Sequence, residues 1–342
     1  MMNNKKMIGI GILIGIICLV SFYFLYWIRT PIYSINIIKE AVQKHDVTTF
    51  ERHVDMDTLY TKAFDDFIVA TDKIEGKNSF SNPFAVGFIQ MLKPPVVAAL
   101  KAITIEGVKG ENKDVTAKSD DADKMATNIK GRSGLDKAVF KDVSVISKEG
   151  DAAIVSIKIY NHKVDKDFNL KVKMIKLDDG KWRLKEITNL VEFMVEVNNA
   201  EKIKLAELDK PIKEEIYKNV KPDGIRGGWR NEGTYFPIWV AESGFKLKNV
   251  SGKDIKNVKG HIEWIKMIDK SVVKTSPLLA TGPINKDGSG ELYSKVSLNE
   301  YSDEDRVIIQ AKDKELTIRV KVMSIEFADG SSLVRPTLYL DT

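Results

Sequence analysis

The sequence predicts an α+β protein in which an N-terminal transmembrane helix precedes a domain of helices and sheet and then a domain of strands. Three observations predict this order. Residues 7–28 carry no charge, apolar residues recur at helical spacing from about 32 to 105, and from Phe140 onward they alternate as in strands. We expect three parts: a cytoplasmic tip and anchor over 1–29, an α+β domain over 30–220 and a β-sandwich over 229–342.

The apolar segment from Met7 to Ile28 is long enough to cross a bilayer. Its 22 residues would extend about 33 Å as an α-helix, and a hydrocarbon core is about 30 Å thick. Bulky residues continue to its end, including Tyr26 and Trp27, where a cleaved signal peptide would have small residues. The sequence therefore predicts an uncleaved signal-anchor whose aromatic end lies at the lipid headgroups.

The charges that flank the apolar segment predict its orientation. Lys5 and Lys6 precede it, and Arg29 alone follows it directly. The more cationic flank, here the N-terminal one, tends to stay in the cytoplasm. The body of the chain is therefore predicted to lie outside a bacterial inner or cell membrane. Gly11 and Gly15 have the four-residue spacing that lets two membrane helices pack closely, and they are the candidates for a dimer through the anchor.

The chain between the anchor and residue 134 is predicted to be mainly helical. Phe84 to Leu92 is apolar nearly all round and is predicted to be a buried helix, which Pro94-Pro95 ends. Residues 107–134 are poor in bulky apolar side chains and are predicted to form a long loop. The other helices are predicted over 32–44, from Val47, from Asp57 and over 96–105.

Strands are predicted on both sides of a further helix. That helix should span Val191 to Val220, interrupted at Pro211, and a Gly- and Pro-rich linker is expected at 221–228. Helical spacing then disappears, and several closely spaced strands predict a small antiparallel sandwich. The predicted strands are 140–147, 152–160, 168–177, 181–187, 238–250, 255–267, 290–296, 307–311 and 316–327.

The charge of the chain gives no indication of nucleic-acid binding. The net charge is +5, but residues 31–220 hold 31 basic and 31 acidic residues, and residues 221–342 hold 19 and 17. A nearly neutral body with interspersed signs attracts phosphate backbones weakly, so no nucleic-acid partner is predicted. Cys18, the single cysteine, lies in the apolar segment, which excludes an intramolecular disulfide.

No pattern in the sequence indicates catalysis, a cofactor or a metal. The histidines lack the close pairing of a zinc site, and His45 and His53 are assigned to turns or exposed helix faces. Neither a phosphate-binding loop nor a Gly-x-Ser-x-Gly elbow occurs. We therefore predict no catalytic residue, no cofactor and no metal ligand, and expect that the chain is not an enzyme.

Three aromatic residues on successive predicted strands are the candidates for lining a pocket. Tyr160, Phe168 and Trp182 would lie at the mouth of a curved sheet. Aromatic residues on strands more often belong to the core, so the core is the favoured interpretation of all three.

After the anchor come Thr30-Pro31-Ile32-Tyr33, a helix that contains Ile38 to Val42, and the pair Val54-Asp55. This pattern resembles a bacterial family of membrane-anchored proteins, the domain of unknown function twenty-nine thirty-nine. The resemblance covers about residues 30–190, with Ile32 and Tyr33 at two positions where the family has aromatics. The order of helices followed by a Gly180-Lys181-Trp182 hairpin is similar to the nuclear-transport-factor-like fold, and residues 245–255 resemble strands of immunoglobulin-like modules. The family implies no reaction. The matching residues are Thr30 to Tyr33, Ile38 to Val42, His45-Asp46, Phe50, Val54-Asp55, Pro95 to Leu100 and Asp179 to Leu184.

These observations lead to one functional hypothesis with two alternatives. We expect a single-pass membrane protein that exposes a non-catalytic binding or envelope-scaffolding module, with lipid around its anchor and a protein partner in the envelope. The first alternative is a sensor or carrier of a small hydrophobic ligand in the pocket of the helix-and-sheet domain. The second is a hydrolase or isomerase in the same pocket, which the fold alone does not favour.

Overall fold

A computed structural model describes residues 4–75, 83–111, 121–135, 138–280, 282–312 and 314–337. Within these residues the chain forms eight helices and three four-stranded antiparallel sheets, so the predicted mixture of helices and antiparallel sheet is confirmed. Two compact units are present, unit 1 over Met1–Glu201 and unit 2 over Lys202–Thr342.

Unit 1 begins with six helices, and local capping sets where two of them start. The Thr30 hydroxyl accepts a hydrogen bond from the backbone N–H of Tyr33 at 3.2 Å, with Pro31 at the first helical position. Asp46 accepts from the backbone N–H of Thr49 at 2.9 Å in the same way. The helices are α1 (Asn4–Trp27), α2 (Pro31–Gln43), α3 (Val47–His53), α4 (Met56–Glu75), α5 (Pro83–Lys109) and α6 (Asp121–Arg132).

Helix α5 corrects two predictions. It continues through Pro94 and Pro95, because packing and ion pairs with α4 on both sides of the prolines offset the lost backbone hydrogen bonds. Its first half is not buried either: Phe88 and Met91 are exposed, and Ile89 lies in the core.

Helix α6 lies in the segment predicted to be a loop. Its inward residues are Ala122, Ala126 and Ile129, which recur at helical spacing and are buried. Two of the three are alanines, so the apolar face of this helix has few bulky side chains and is hard to recognise in the sequence. The loop prediction is therefore wrong over Asp121–Arg132, and residues 112–120 lie outside the described residues.

The sheet of unit 1 is an antiparallel meander in the order β1-β2-β3-β4. Its buried side chains form one core with those of α2 to α6 and the start of α7. Asp55, at the beginning of α4, donates its backbone N–H to the carbonyl of Leu184 at 2.8 Å, which fixes the helices to the sheet edge. The strands are β1 (Ala138–Glu149), β2 (Ala152–Asn161), β3 (Lys166–Lys176) and β4 (Trp182–Ile187).

Helix α7 (Leu190–Asn219) contains the division between the units and continues through Pro211. Unit 2 then has two sheets, in the orders β5-β6-β10-β9 and β12-β11-β7-β8. Its elements are β5 (Val220–Asn231), β6 (Trp239–Asn249), β7 (Ile255–Lys266), β8 (Val272–Pro277), β9 (Leu279–Ala280), β10 (Ser289–Leu298), α8 (Asp303–Gln310), β11 (Leu316–Phe327) and β12 (Ser332–Val334).

Two predictions for unit 2 are wrong. The expected linker at 221–228 lies in β5, an edge strand that accommodates Gly224 at a φ of +59° in a bulge. The expected strand at 307–311 lies mostly in α8, because Asp303, Glu304 and Asp305 occupy its first turn and favour a helix there. Ile308 of α8 is fully buried.

The two sheets of unit 2 share one core with the second half of α7. Phe245 and Leu247 come from one sheet, Ile262 and Val322 from the other, and Ile216 from α7. The Tyr217 hydroxyl also donates to the carbonyl of Val320 at 3.3 Å. The last turns of α7 are therefore part of the structure of unit 2.

We predict that a fragment of residues 202–342 folds alone and that residues 229–342 do not reach the same stability. The shorter fragment loses Ile216 and Val220, both fully buried, and burial of one such side chain contributes about 1.5–3 kcal/mol. Typical domains have only about 5–15 kcal/mol of total stability. Circular dichroism melts of both fragments test this, and equal melting temperatures would contradict it.

Candidate binding surfaces

Trp182 connects the sheet of unit 1 to the point where the chain leaves α1. The indole is fully buried. Its backbone N–H donates to the Ser34 hydroxyl at 3.1 Å, and its ring Nε1 donates to the Arg29 carbonyl at 2.9 Å. Both N–H groups of this buried residue are thus satisfied, one by Arg29 just after α1 and the other by Ser34 in the first turn of α2.

The structure separates the three aromatic candidates. Phe168 is buried, with its ring centroid 6.0 Å from that of Phe193 in the core of unit 1. Tyr160 points to the other face of the sheet, where its hydroxyl donates to Asp165 and Lys141 lies 4.3 Å from its ring centroid. Tyr160 therefore does not share one pocket with Phe168 and Trp182.

A small polar cavity lies beside the Trp182 connection, and we call it the exit cavity. Its volume is about 330 Å³. Gly180 has a φ of +82°, and a side chain added there would approach Arg29 Cδ to 3.2 Å, so the turn needs glycine for two reasons. The lining residues are Arg29, Asp151, Lys176, Leu177, Asp178, Asp179 and Gly180.

Two apolar regions of unit 1 have the length and composition that a membrane span requires. By length and composition alone, Val86–Lys109 of α5 is apolar enough to cross a membrane, and Ile12–Trp27 with Pro31–Gln43 is so only as a pair bent by 72°. Val96 and Leu100 of α5 belong to the core. Gly15 has open space around it, and the surroundings of Gly11 lie outside the described side chains.

One end of unit 2 gathers three loops, and we call it the loop end: residues 232–238, 267–271 and 299–302. Asn231, which ends β5, pairs with Trp239, which also pairs with Leu298 at the end of β10. The rings of Trp229 and Trp264 meet edge to face at 6.1 Å between the two sheets, and β7 ends at Lys266, two residues beyond Trp264. The loops of both sheets therefore emerge at the same end.

The loop end exposes large apolar side chains. Tyr235 and Phe236 are 93% and 80% exposed, Ile268 is 92% exposed and Tyr301 is 82% exposed. Each stands on a loop and not on the face of a strand. Monomeric soluble proteins seldom gather such residues unless the surface contacts something.

A groove of about 630 Å³ next to the loop end is lined by several charged side chains, most of which are paired. Arg230 and Lys295 each pair with both Glu232 and Glu242, with Lys295 Nζ 3.0 Å from a Glu242 oxygen. Hydrogen bonds from Arg230 and Lys295 hold the pKa of Glu242 below its ordinary value. Arg230, Glu242 and Lys295 of the groove and the neighbouring Glu232 therefore form one ion-pair network, and Arg226, which also lines the groove, lies outside it.

A second charge cluster in unit 2 surrounds the buried carboxylate of Glu263. Arg319 Nε donates to it at 2.7 Å, Lys321 Nζ is 3.6 Å away and His261 Nε2 is 3.4 Å away. Burial alone would raise the pKa of Glu263, but Arg319 and Lys321 hold it below its ordinary value. Burial, and then the charge of Lys321, lowers the pKa of His261.

No group of three or more metal-ligating side chains occurs in the described ranges of the chain. His45 Nδ1 lies 2.8 Å from the Val108 carbonyl, and His53 Nδ1 lies 2.9 Å from the Thr49 carbonyl. The assignment of His53 to an exposed position is wrong: α3 turns it inward beside Phe50, and it is buried.

We predict that Trp182→Ala destabilises unit 1 by about 3–5 kcal/mol, as truncation of a core aromatic does. Trp182→Phe should cost about 1–3 kcal/mol, since it removes the hydrogen bond to the Arg29 carbonyl but keeps most of the ring. Tyr235→Ala, at an exposed aromatic, is the control. Thermal melts of the detergent-solubilised chain measure all three, and an unshifted Trp182→Ala melt would support a pocket.

We predict that acidification below neutral pH destabilises unit 2 through His261. Its folded pKa lies below the ordinary value of 6.5, so the unfolded chain binds more protons between the two values, and stability present above pH 6.5 falls as the pH falls. His261 is the sole histidine of residues 202–342. Urea denaturation of that fragment from pH 7.5 to 5.5 should show a smaller decrease for His261→Gln, and equal decreases would contradict the assignment.

Comparison with known proteins finds one family model that matches part of the chain. A search of curated proteins finds no match to this chain. The model of a family described as "Protein of unknown function (DUF2939)" matches residues 20–110, from the end of α1 through α5. The resemblance is therefore confirmed over this range, and the hairpin at Asp179 to Leu184 lies outside it. Residues 20–110 of the chain match a family whose description assigns no function.

Proposed function

We propose that the chain is a single-pass membrane protein, anchored by α1, that binds a protein partner in the bacterial envelope and has no catalytic role. The observation that carries this proposal is the exposure of Tyr235, Phe236, Ile268 and Tyr301 at the loop end. Interfaces between proteins are enriched in aromatic residues, and tyrosine is among the commonest residues that dominate binding energy.

The charges next to the loop end favour a contact that is mainly apolar. Arg230, Lys295 and their glutamates are already paired, so a partner does not need to neutralise them. Asp269 accepts hydrogen bonds from the backbone N–H and hydroxyl of Ser271 in its own turn. The apolar side chains are therefore the groups left to gain most from leaving water.

The anchoring part of the proposal rests on α1. Its described side chains from Ile12 to Tyr26 are exposed and uncharged, and most of them are large and apolar. Such an exposed surface is favourable in lipid and unfavourable in water. Lys5 and Lys6 support a cytoplasmic N-terminus and an extracytoplasmic body. Pairing of two anchors through Gly11 and Gly15 is part of the same proposal.

The finer fold assignments are also proposals. Helices packed on one four-stranded antiparallel sheet support a nuclear-transport-factor-like unit 1. Two antiparallel sheets around one core support an immunoglobulin-like unit 2. Burial of Phe168 and Trp182 gives no support to a hydrophobic-ligand carrier.

Site-specific photocrosslinking of the full chain in its own membrane tests the binding role. A photoreactive residue replaces Phe236, Ile268 or Tyr301, one at a time. The control position is Lys286, an exposed residue at the opposite end of the sheets, where its backbone N–H donates to Asp254 at 2.7 Å. We expect one discrete protein adduct from the three loop positions and none from Lys286.

The adduct then allows a quantitative test with the purified partner. Phe236→Ala should weaken binding about 30-fold, as expected for a dominant interface aromatic, and Lys286→Ala should leave binding unchanged. Adducts to lipid only, or equal adducts from Lys286, would contradict a protein partner at the loop end.

A further inference from the structure

We infer that the exit cavity binds the headgroup of a phospholipid that carries a primary ammonium, with its phosphate at Arg29 and Lys176 and its ammonium at Asp178. This inference rests on the proposed anchoring by α1. It adds to that proposal a specific lipid contact on unit 1.

The position of the cavity suits a headgroup. Arg29 directly follows Ile28, the last residue of the apolar segment, and it lines the cavity. A bilayer has roughly 5–8 Å of polar region on each side of its hydrocarbon core. If α1 spans the core, the cavity opens within that layer.

The cavity is held in shape by its own backbone. Leu177 donates its N–H to the Lys181 carbonyl at 2.7 Å, and Gly180 donates to the Leu177 carbonyl at 2.8 Å. Trp182 fixes the Arg29 carbonyl at 2.9 Å. A site that is already formed loses little conformational freedom when it binds.

The charges of the lining are only loosely paired. No described carboxylate forms an ion pair with Arg29, and within the same described ranges Asp178 has no ion pair either. Lys176 and Asp151 are 3.9 Å apart, at the long end for a pair. A phosphate accepts hydrogen bonds from Arg29 and Lys176, and an ammonium donates to a carboxylate such as Asp178.

The balance of charge selects among headgroups. The lining holds two cations and three carboxylates, and Lys181, 4.0 Å from Asp179, completes a neutral set. A neutral set favours a zwitterionic headgroup over one with phosphate charge alone. A quaternary choline has no N–H to donate to Asp178, so ethanolamine should bind better than choline. A cavity of about 330 Å³ holds a headgroup and not a whole lipid.

The test is lipid retention by the full chain, purified from vesicles that contain equal amounts of phosphatidylethanolamine, phosphatidylcholine and phosphatidylglycerol. Native mass spectrometry counts each retained lipid. We expect about tenfold preference for phosphatidylethanolamine, the order of one hydrogen bond between charged groups. Asp178→Asn and Lys176→Gln should each remove most of it, and Asp287→Asn, at a turn in unit 2, should preserve it.

Two further arms separate the explanations. Soluble phosphoethanolamine should not displace the lipid at equal concentration, and displacement would assign the site to a free headgroup and overturn the membrane source. Alkaline carbonate extraction tests anchoring separately. A chain that stays in the membrane without lipid preference overturns the headgroup site alone, and a chain released by carbonate overturns the anchor and the site together.

Discussion

The hydrogen bond from the Trp182 indole to the Arg29 carbonyl is the constraint on which unit 1 depends. The carbonyl lies just past the end of α1, where backbone acceptors have no partner within the helix. The indole N–H is buried and would cost about 1–3 kcal/mol without an acceptor. One bond therefore satisfies two groups, and the Ser34 hydroxyl does the same for the backbone of Trp182. As a result, the β3–β4 turn is fixed at the exit of α1 without a flexible linker.

In unit 2 a buried ion pair joins helix α7 to the segment that follows β12. Arg335, which follows β12, is buried and donates from Nε to Asp209 of α7 at 2.6 Å. It also donates its backbone N–H to the Met323 carbonyl of β11. Asp209 and Arg335 stabilise each other's charged forms, so the pKa of Asp209 is lowered. Because Asp209 and Arg335 contact each other in place of water, the second half of α7 is built into unit 2.

Much of the fold followed from residue patterns, and the failures have identifiable physical causes. The alternating strands and the helices over 32–44 and from Val47 were predictable because they depend on neighbours in sequence, as do the caps at Thr30 and Asp46 that the structure shows. The course of α5 through Pro94 depends on contacts with α4, 28 residues away in the Lys93–Asp65 pair, and α6 depends on small alanines. The loop end was not predictable because it joins loops from separate parts of the chain. The adjacent aromatic residues Tyr235 and Phe236 beside Pro237 were a local sequence signal for one of these loops.

The exit cavity and the loop end differ in the physical basis of recognition. Around the exit cavity the charges are sparsely paired and the turn is rigid, so binding there would depend on complementary charge in a fixed geometry. At the loop end Arg230 and Lys295 are already paired with glutamates, and the large exposed side chains are apolar, so binding there would depend on the release of water. Screening by salt weakens the first kind of contact and leaves the second largely unchanged. The two proposed contacts would therefore use different groups of the chain and would not compete for them.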